Sequence, residues 1–187
     1  MSVLVVLVIV AVVIGLYVMG LYNTLVRMRN SVKEAWSDIE VQLKRRFDLI
    51  PNVLSTVKGY AKYESETLEK IIAARNAAFG KPQNMQEIAK TEGELSGALK
   101  SLFALSESYP DLKANTNFLE LQRELRDTED KIQAARRFYN GNVLAFNTKI
   151  QQFPANLIAG RFNFTEQPLF ELAAEEQAAR NPVKVEF

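Results

Sequence analysis

The side chains that could do chemistry here are carboxylates, and they lack the partners that chemistry needs. Glu64, Glu66 and Glu69 lie close together on one helical stretch. A carboxylate-bridged di-metal bundle also needs a Glu-x-x-His pair on each of two helices. The chain has no histidine, which removes that class together with His–Asp triads and His-ligated zinc. It has no cysteine either, so there is no thiolate nucleophile and no disulfide framework, as fits a reducing compartment. No glycine-rich phosphate loop is present, and no spacing points to a Ser–Lys dyad. The three glutamates read as an exposed charged helix face. Asn163-Phe164-Thr165 matches a glycosylation acceptor by chance. The expectation is a protein that is not an enzyme and has no catalytic residue, cofactor or metal.

What remains are residues suited to contact. Tyr22-Asn23-x-x-Val26 followed by Asn30 is echoed by Tyr139-Asn140-x-x-Val143 followed by Asn147. Asn23 and Asn30, and Asn140 and Asn147, are spaced seven apart and recur on one helix face. A polar ladder of this kind fixes register or oligomer state in coiled coils. Ala11 and Gly15 form a small-xxx-small pair that would let two apolar helices approach. Arg45, Arg46 and Asp48 are expected at the far tip of the molecule as a docking surface.

These residues must be positioned by helices. No charged side chain occurs before Arg27, and Val3 to Leu21 is nearly all aliphatic. About 20 such residues cross the roughly 30 Å of hydrocarbon, and there only a helix or closed barrel satisfies its own backbone. A cleaved signal peptide would need a basic start and a small-x-small cleavage site; Met1-Ser2 and Met19-Gly20-Leu21-Tyr22-Asn23 supply neither. Residues 1–24 are therefore read as a retained anchor. Arg27, Arg29 and Lys33 follow it and nothing basic precedes it, which puts the N-terminus outside and the body in the cytoplasm.

Residues 25–153 read as an all-α, up-down-up-down four-helix bundle continuous with the anchor. The first helix carries Leu25, Val32 and Ile39 beside Met28, Trp36 and Leu43, and ends near Arg46. Asp48 as cap and Pro51 in a first turn favour a tight turn there over one helix kinked at Pro51. Helix two is expected over Leu49–Ala78, with Val53, Leu54, Val57, Tyr60, Ala61, Leu68, Ile71 and Ile72 inward, stopped by Gly80 and Pro82. Asn84 with Glu87 opens helix three, which carries Ile88, Leu95, Leu99, Leu102 and Phe103. Gly93 and Gly97 there mark either a close neighbour or a weak helix. After a loop over Asp111–Thr116, Asn117 with Glu120 opens helix four. Its stripe is Phe118, Leu121, Leu125, Thr128, Ile132, Ala135, Tyr139, Val143, Phe146 and Ile150, and Pro154 ends it.

By this alternation helix four returns to the membrane. The C-terminal segment is residues 154–187, and the aromatic stretch from Phe153 to Phe164 that leads into it offers Phe153, Leu157, Ile158, Phe162 and Phe164 as candidates for the bilayer surface; the competing reading, slightly favoured, packs them over the open end of the bundle. From Thr165 onward the acidic tail is expected to be mobile, with at most one short helix near Glu171–Ala179. The net charge of +1 argues against a nucleic-acid partner. Residues 27–62 are nonetheless net +4, as an anionic leaflet would favour, although an ordinary solvated face reads equally well.

Several stretches resemble the LemA family: Tyr22-Asn23-x-Leu25-Val26-x-x-Arg29-Asn30-x-Val32, Ala35-Trp36-Ser37-Asp38-Ile39-Glu40-Val41-Gln42-Leu43-Lys44-Arg45-Arg46, Asp48-Leu49-Ile50-Pro51-Asn52, Val57-Lys58-Gly59-Tyr60-Ala61 and Tyr109-Pro110-x-Leu112-Lys113-Ala114-Asn115. Thr128-Glu129, Ala135-Arg136 and Tyr139-Asn140 add to it. Phe47 and Tyr63 depart from the pattern, standing where many relatives have histidine. The resemblance implies a bacterial, inner-membrane-anchored helical bundle, related to a protein of magnetosome membranes and without an established enzymatic activity. Two functions are then expected to compete. One is a homo-oligomeric scaffold that organises or curves the membrane or recruits proteins, its partners being lipid and further copies of itself. The other is an adaptor that docks another membrane protein, such as a protease or transporter, through the distal tip without self-assembly.

Overall fold

The computed structural model describes residues 2–61, 64–80 and 84–171. Those residues are all-helical, with no strand among them. The elements are α1 (Ser2–Tyr60), α2 (Ser65–Phe79), α3 (Met85–Ser106), α4 (Pro110–Lys113), α5 (Thr116–Gln151) and α6 (Ala155–Arg161). They divide into two units, Met1–Asp38 with Ala135–Leu169, and Ile39–Ala134 with Phe170–Phe187.

The main correction concerns α1. It does not end near Arg46; it continues through Pro51 to Tyr60. A proline inside a helix removes one N–H and orphans the carbonyl four residues before it. Here that carbonyl belongs to Phe47, and Arg75 Nε of α2 donates to it at 3.2 Å. The Arg75 guanidinium also lies over the Phe47 ring, 3.5 Å from its centroid, and Phe47 stacks on Phe79 at 3.9 Å. Asp48 does not cap a new helix; it pairs along α1 with Lys44 at 2.6 Å. The sequence signals for a turn are real, but a tertiary donor supplies what the proline withholds. Pro51→Ala should raise stability by about 1–2 kcal/mol, less than the roughly 3 kcal/mol of a bare interior proline, because Arg75 already serves the carbonyl. Urea unfolding followed by helical circular dichroism measures it; a destabilised alanine variant would mean that Pro51 sets a needed bend.

Within the second unit a core of apolar side chains joins α1, α2, α3, α4 and α5. Ile50, Val53, Leu54, Val57 and Ala61 meet Leu68, Ile71, Leu95, Leu99, Leu102, Leu112, Phe118 and Leu125. Tyr60, expected inward, is 42% exposed; Asn115 Nδ2 donates to its hydroxyl at 2.8 Å. Asn84 caps α3 as expected, accepting from the Glu87 N–H at 2.9 Å. The cap of α5 is Asn115, which accepts from the Phe118 N–H at 2.9 Å, so the helix starts ahead of Asn117. A short helix, α4, fills the first half of the expected loop. At Gly97 an added Cβ would meet nothing within 4 Å, so no close neighbour explains that glycine.

Tyr109 Oη donates to Glu64 at 2.9 Å, tying the start of α2 to the end of α3. That hydrogen bond, followed by burial and the carboxylate charge, holds the Tyr109 phenol above its ordinary value of 10.0. The folded state therefore favours the protonated phenol. The linked stability is fully present below pH 10 and is lost as pH rises through the raised value. Tyr109→Phe should flatten this alkaline limb of the stability curve; an unchanged limb in pH-dependent unfolding would disprove the link.

The first unit starts from the apolar end of α1, whose large side chains from Val3 to Tyr17 are exposed throughout. Among the described residues it is the one helix long and apolar enough to cross a membrane. Beyond it, Leu25, Val32 and Ala35 are buried with Tyr139, Val143, Phe146 and Ile150 of α5. Trp36 meets Tyr139 edge-on at 5.6 Å.

Candidate functional site: a buried charge network and the end of the apolar run

Two constellations stand out, one in each unit. In the second, Arg46 is 1% exposed. Helix α1 carries it between α3 and α5. Its guanidinium pairs with the buried Glu92, donates to Glu129 at 2.7 Å and donates to Ser96 Oγ at 2.8 Å. Ser96 Oγ in turn donates to Glu129 at 3.2 Å. A buried charge persists only when paired and hydrogen-bonded, and here one cation meets two anions and a hydroxyl from two other helices. No group of three metal-ligating side chains occurs among the described residues, and Arg46 fills the space between these carboxylates.

This corrects the expectation of a docking tip. Arg46 is inside the core and unavailable to a partner. Arg45 lies along α5, pairing with Glu124 and, at 3.4 Å, with Asp127. Asp48 is held by Lys44. Because α1 runs on to Tyr60, none of the three stands at a helix end. The network was missed because an Arg-Arg pair after Lys44 reads as a solvated helix terminus. The available clue was the 3.6-residue stripe itself: Arg46 falls between Ile39 and Ile50 on the inward row.

The second constellation lies in the first unit, where the apolar span ends. Tyr22 meets Phe162 at 4.9 Å and Phe164 at 5.8 Å. Phe164 is 6% exposed, packs on Phe146 at 6.4 Å, and carries the Arg29 guanidinium over its ring at 4.9 Å. The chain is delivered there by the end of α6. Asn163 adopts a left-handed φ of 55°, and the Phe164 N–H donates to the Ala159 carbonyl at 3.0 Å. That six-residue closure is a Schellman stop, and Asn tolerates the left-handed position better than a bulkier residue.

The five interfacial candidates therefore separate. Phe153, Leu157 and Phe162 are exposed, Ile158 is half-buried and Phe164 is in the core. Phe164 is corrected as a lipid contact, and the packing alternative holds for it. The segment after it is not free either: Asn147 accepts from the Gln167 N–H at 2.9 Å and donates to its carbonyl at 2.8 Å. Tyr139 donates to the Pro168 carbonyl at 2.9 Å, and its burial raises the phenol pKa. The expected mobility is thus corrected for Gln167 and Pro168, which are held by α5; residues 172–187, with most of the short helix expected near Glu171–Ala179, lie outside the described residues. As for the ladder, Asn147 is spent on the chain's own backbone, Asn23 and Asn30 are exposed, and Asn140 is half-buried. Ala11 and Gly15 are exposed, with nothing within 4 Å of a Cβ built at Gly15.

Comparison with known proteins places this arrangement. The LemA family model matches residues 35–187. The chain belongs to the LemA family. Protein LemA of Metamycoplasma hominis is 29% identical over 158 residues, covering 84% of this chain and 72% of that protein. Magnetosome protein MamQ 2 of Paramagnetospirillum magneticum is 27% identical, covering 87% and 68%. Magnetosome protein MamQ of Magnetospirillum gryphiswaldense is 24% identical over the same shares. These LemA-like relatives suggest a membrane-associated helical protein, in keeping with the apolar start of α1.

Proposed function

We propose that this LemA-family chain is a single-pass, membrane-anchored scaffold without catalytic activity, which self-associates to organise the membrane or recruit proteins at the cytoplasmic face. The observation that carries the reading is the continuity of α1, in which one unbroken helix passes from the apolar span into the folded body. A continuous helix transmits orientation, so neighbouring copies would hold a fixed angle to the bilayer. Three relatives bear the name magnetosome protein, which accords with a role at membrane structures. The finer fold reading is a four-helix bundle in which α1, α2, α3 and α5 alternate in direction, with α1 taking the place of the first helix and half of the second. The basic residues that follow the span argue for an N-terminus outside and a body inside the plasma membrane of a bacterium.

The test is the mass distribution of the full-length chain in a mild detergent, beside a chain beginning at Thr24. Large uniform particles that require the anchor support self-association. A monomer in both overturns it and leaves an adaptor for another membrane protein as the reading to pursue, through a surface other than Arg46.

A further inference from the structure

Helix α6 presents two unlike sides. Ala155 and Ala159, one turn apart, are buried within the first unit. On the other side Leu157 is 62% exposed, flanked in sequence by Phe153 at 81% and Phe162 at 50%. These large side chains surround a helix whose only charge is Arg161, exposed and one turn beyond Leu157. An exposed aromatic and aliphatic cluster of this kind needs a covering.

Its position says what covers it. Trp36 against Tyr139 fixes an antiparallel register between α1 and α5 in this unit. From that contact Tyr22 lies fourteen residues back along α1, and Gln151, the last residue of α5 and two before Phe153, lies twelve residues on. At about 1.5 Å per residue these are about 21 Å and about 18 Å further on, so Tyr22 and the end of α5, with Phe153 just beyond it, come nearly level. The direct Tyr22–Phe162 contact agrees. Tyr22 directly follows the uncharged apolar run of α1. The exposed side chains of α6 are thus continuous with the surface that a bilayer would cover, at the depth where aromatic rings settle. Among the described residues Arg27, Arg29, Lys149 and Arg161 are cations at this end, Arg29 lying over the Phe164 ring, and Glu166 is a nearby acid, held by Gln151 at 2.6 Å. Long basic side chains reach headgroups while their stems stay in apolar surroundings.

We propose that α6 is a second membrane contact, an interfacial helix that seats Phe153, Leu157 and Phe162 in the lipid headgroup–acyl boundary beside the span, with Arg161 toward anionic headgroups. It rests on the reading of α1 as the anchor and deepens it: the protein meets the bilayer through a span and a flank, which fixes its rotation about the span as well as its depth.

The absence of cysteine from the chain makes the test direct. Full-length Leu157→Cys, Phe153→Cys, Val8→Cys and Ser37→Cys variants carry a polarity-sensitive fluorophore in phosphatidylcholine–phosphatidylglycerol vesicles containing lipid with a nitroxide high on its acyl chain. The replaced side chains are exposed, so folding should survive. The expected result is loss of about half or more of the emission at positions 157 and 153, against about a tenth or less at 37. Quenching at 8 with 157 and 153 behaving like 37 would overturn the α6 contact while leaving the anchor in place. Blue-shifted but unquenched labels at 157 and 153 would overturn it in favour of a protein covering. Emission at 8 untouched by the quencher would remove the anchor reading, and the α6 contact with it.

Discussion

Replacing Arg46 by methionine should lower the stability of the helical body by about 3–5 kcal/mol, the cost of stranding a buried charge. Methionine keeps the length of the side-chain stem and removes the guanidinium. Glu92, only 4% exposed, is then left in the core without its cation, and the hydroxyl of Ser96 and the carboxylate of Glu129 lose a shared donor. Truncating one member of such a set costs far more than the set contributes, because desolvation of the survivors is no longer offset. Arg46→Met with Glu92→Met should therefore recover much of the loss, although the single change at Arg46 is severe. Lys cannot stand in, since an ammonium lacks the planar fork that reaches Glu92, Glu129 and Ser96 together. The exposed pair Lys70–Glu66, 70% and 83% exposed, gives the contrast: Lys70→Met should change stability by less than about 0.5 kcal/mol. Urea unfolding followed by circular dichroism reads all four variants. A loss below about 1 kcal/mol at Arg46, in the range of surface pairs, would mean that water reaches the network and that it does not lock α1 to α3 and α5.

That network shows where the sequence stops being legible. Helical periodicity is a local property, and the inward rows read from it were largely right: Leu25, Val32, Ile39, Phe118, Leu125, Ile132, Val143 and Phe146 are all buried. The stop at Phe79-Gly80 and the cap at Asn84 are local chemistry as well, and they stand. Pro51 and Arg46 are different. Whether a proline ends a helix depends on whether something else satisfies the carbonyl four residues earlier, and Arg75 is 28 residues away from Phe47 in the chain. Whether an arginine faces water depends on finding Glu92 and Glu129 across two other helices. The same limit explains the aromatic segment. Its composition allows both lipid and core, and only the left-handed turn at Asn163 decides that Phe164 goes in while Leu157 and Phe162 stay out.

Phe164→Ala should be the other severe change, costing the first unit about 3–5 kcal/mol by the measure of large-to-small core substitutions. Its ring touches Tyr22, Phe146 and Arg29 at once, so its loss opens a cavity where α1, α5 and the end of α6 meet. The effect should also be local. Amide hydrogen exchange should accelerate from residue 155 to 169, while α3, whose core residues lie in the other unit, keeps its protection. Asn147→Ala supplies the graded comparison: it removes two backbone hydrogen bonds from Gln167, should cost about 1–3 kcal/mol, and should loosen 165–168 without freeing α6. If Phe164→Ala leaves exchange in 155–169 unchanged, the ring is not what fastens α6 to the end of the apolar run of α1. If the acceleration is confined there, Phe164 is the pin that holds α6 beside the apolar run of α1. The membrane contact proposed for Leu157 and Phe162 then depends on a residue that itself never meets lipid.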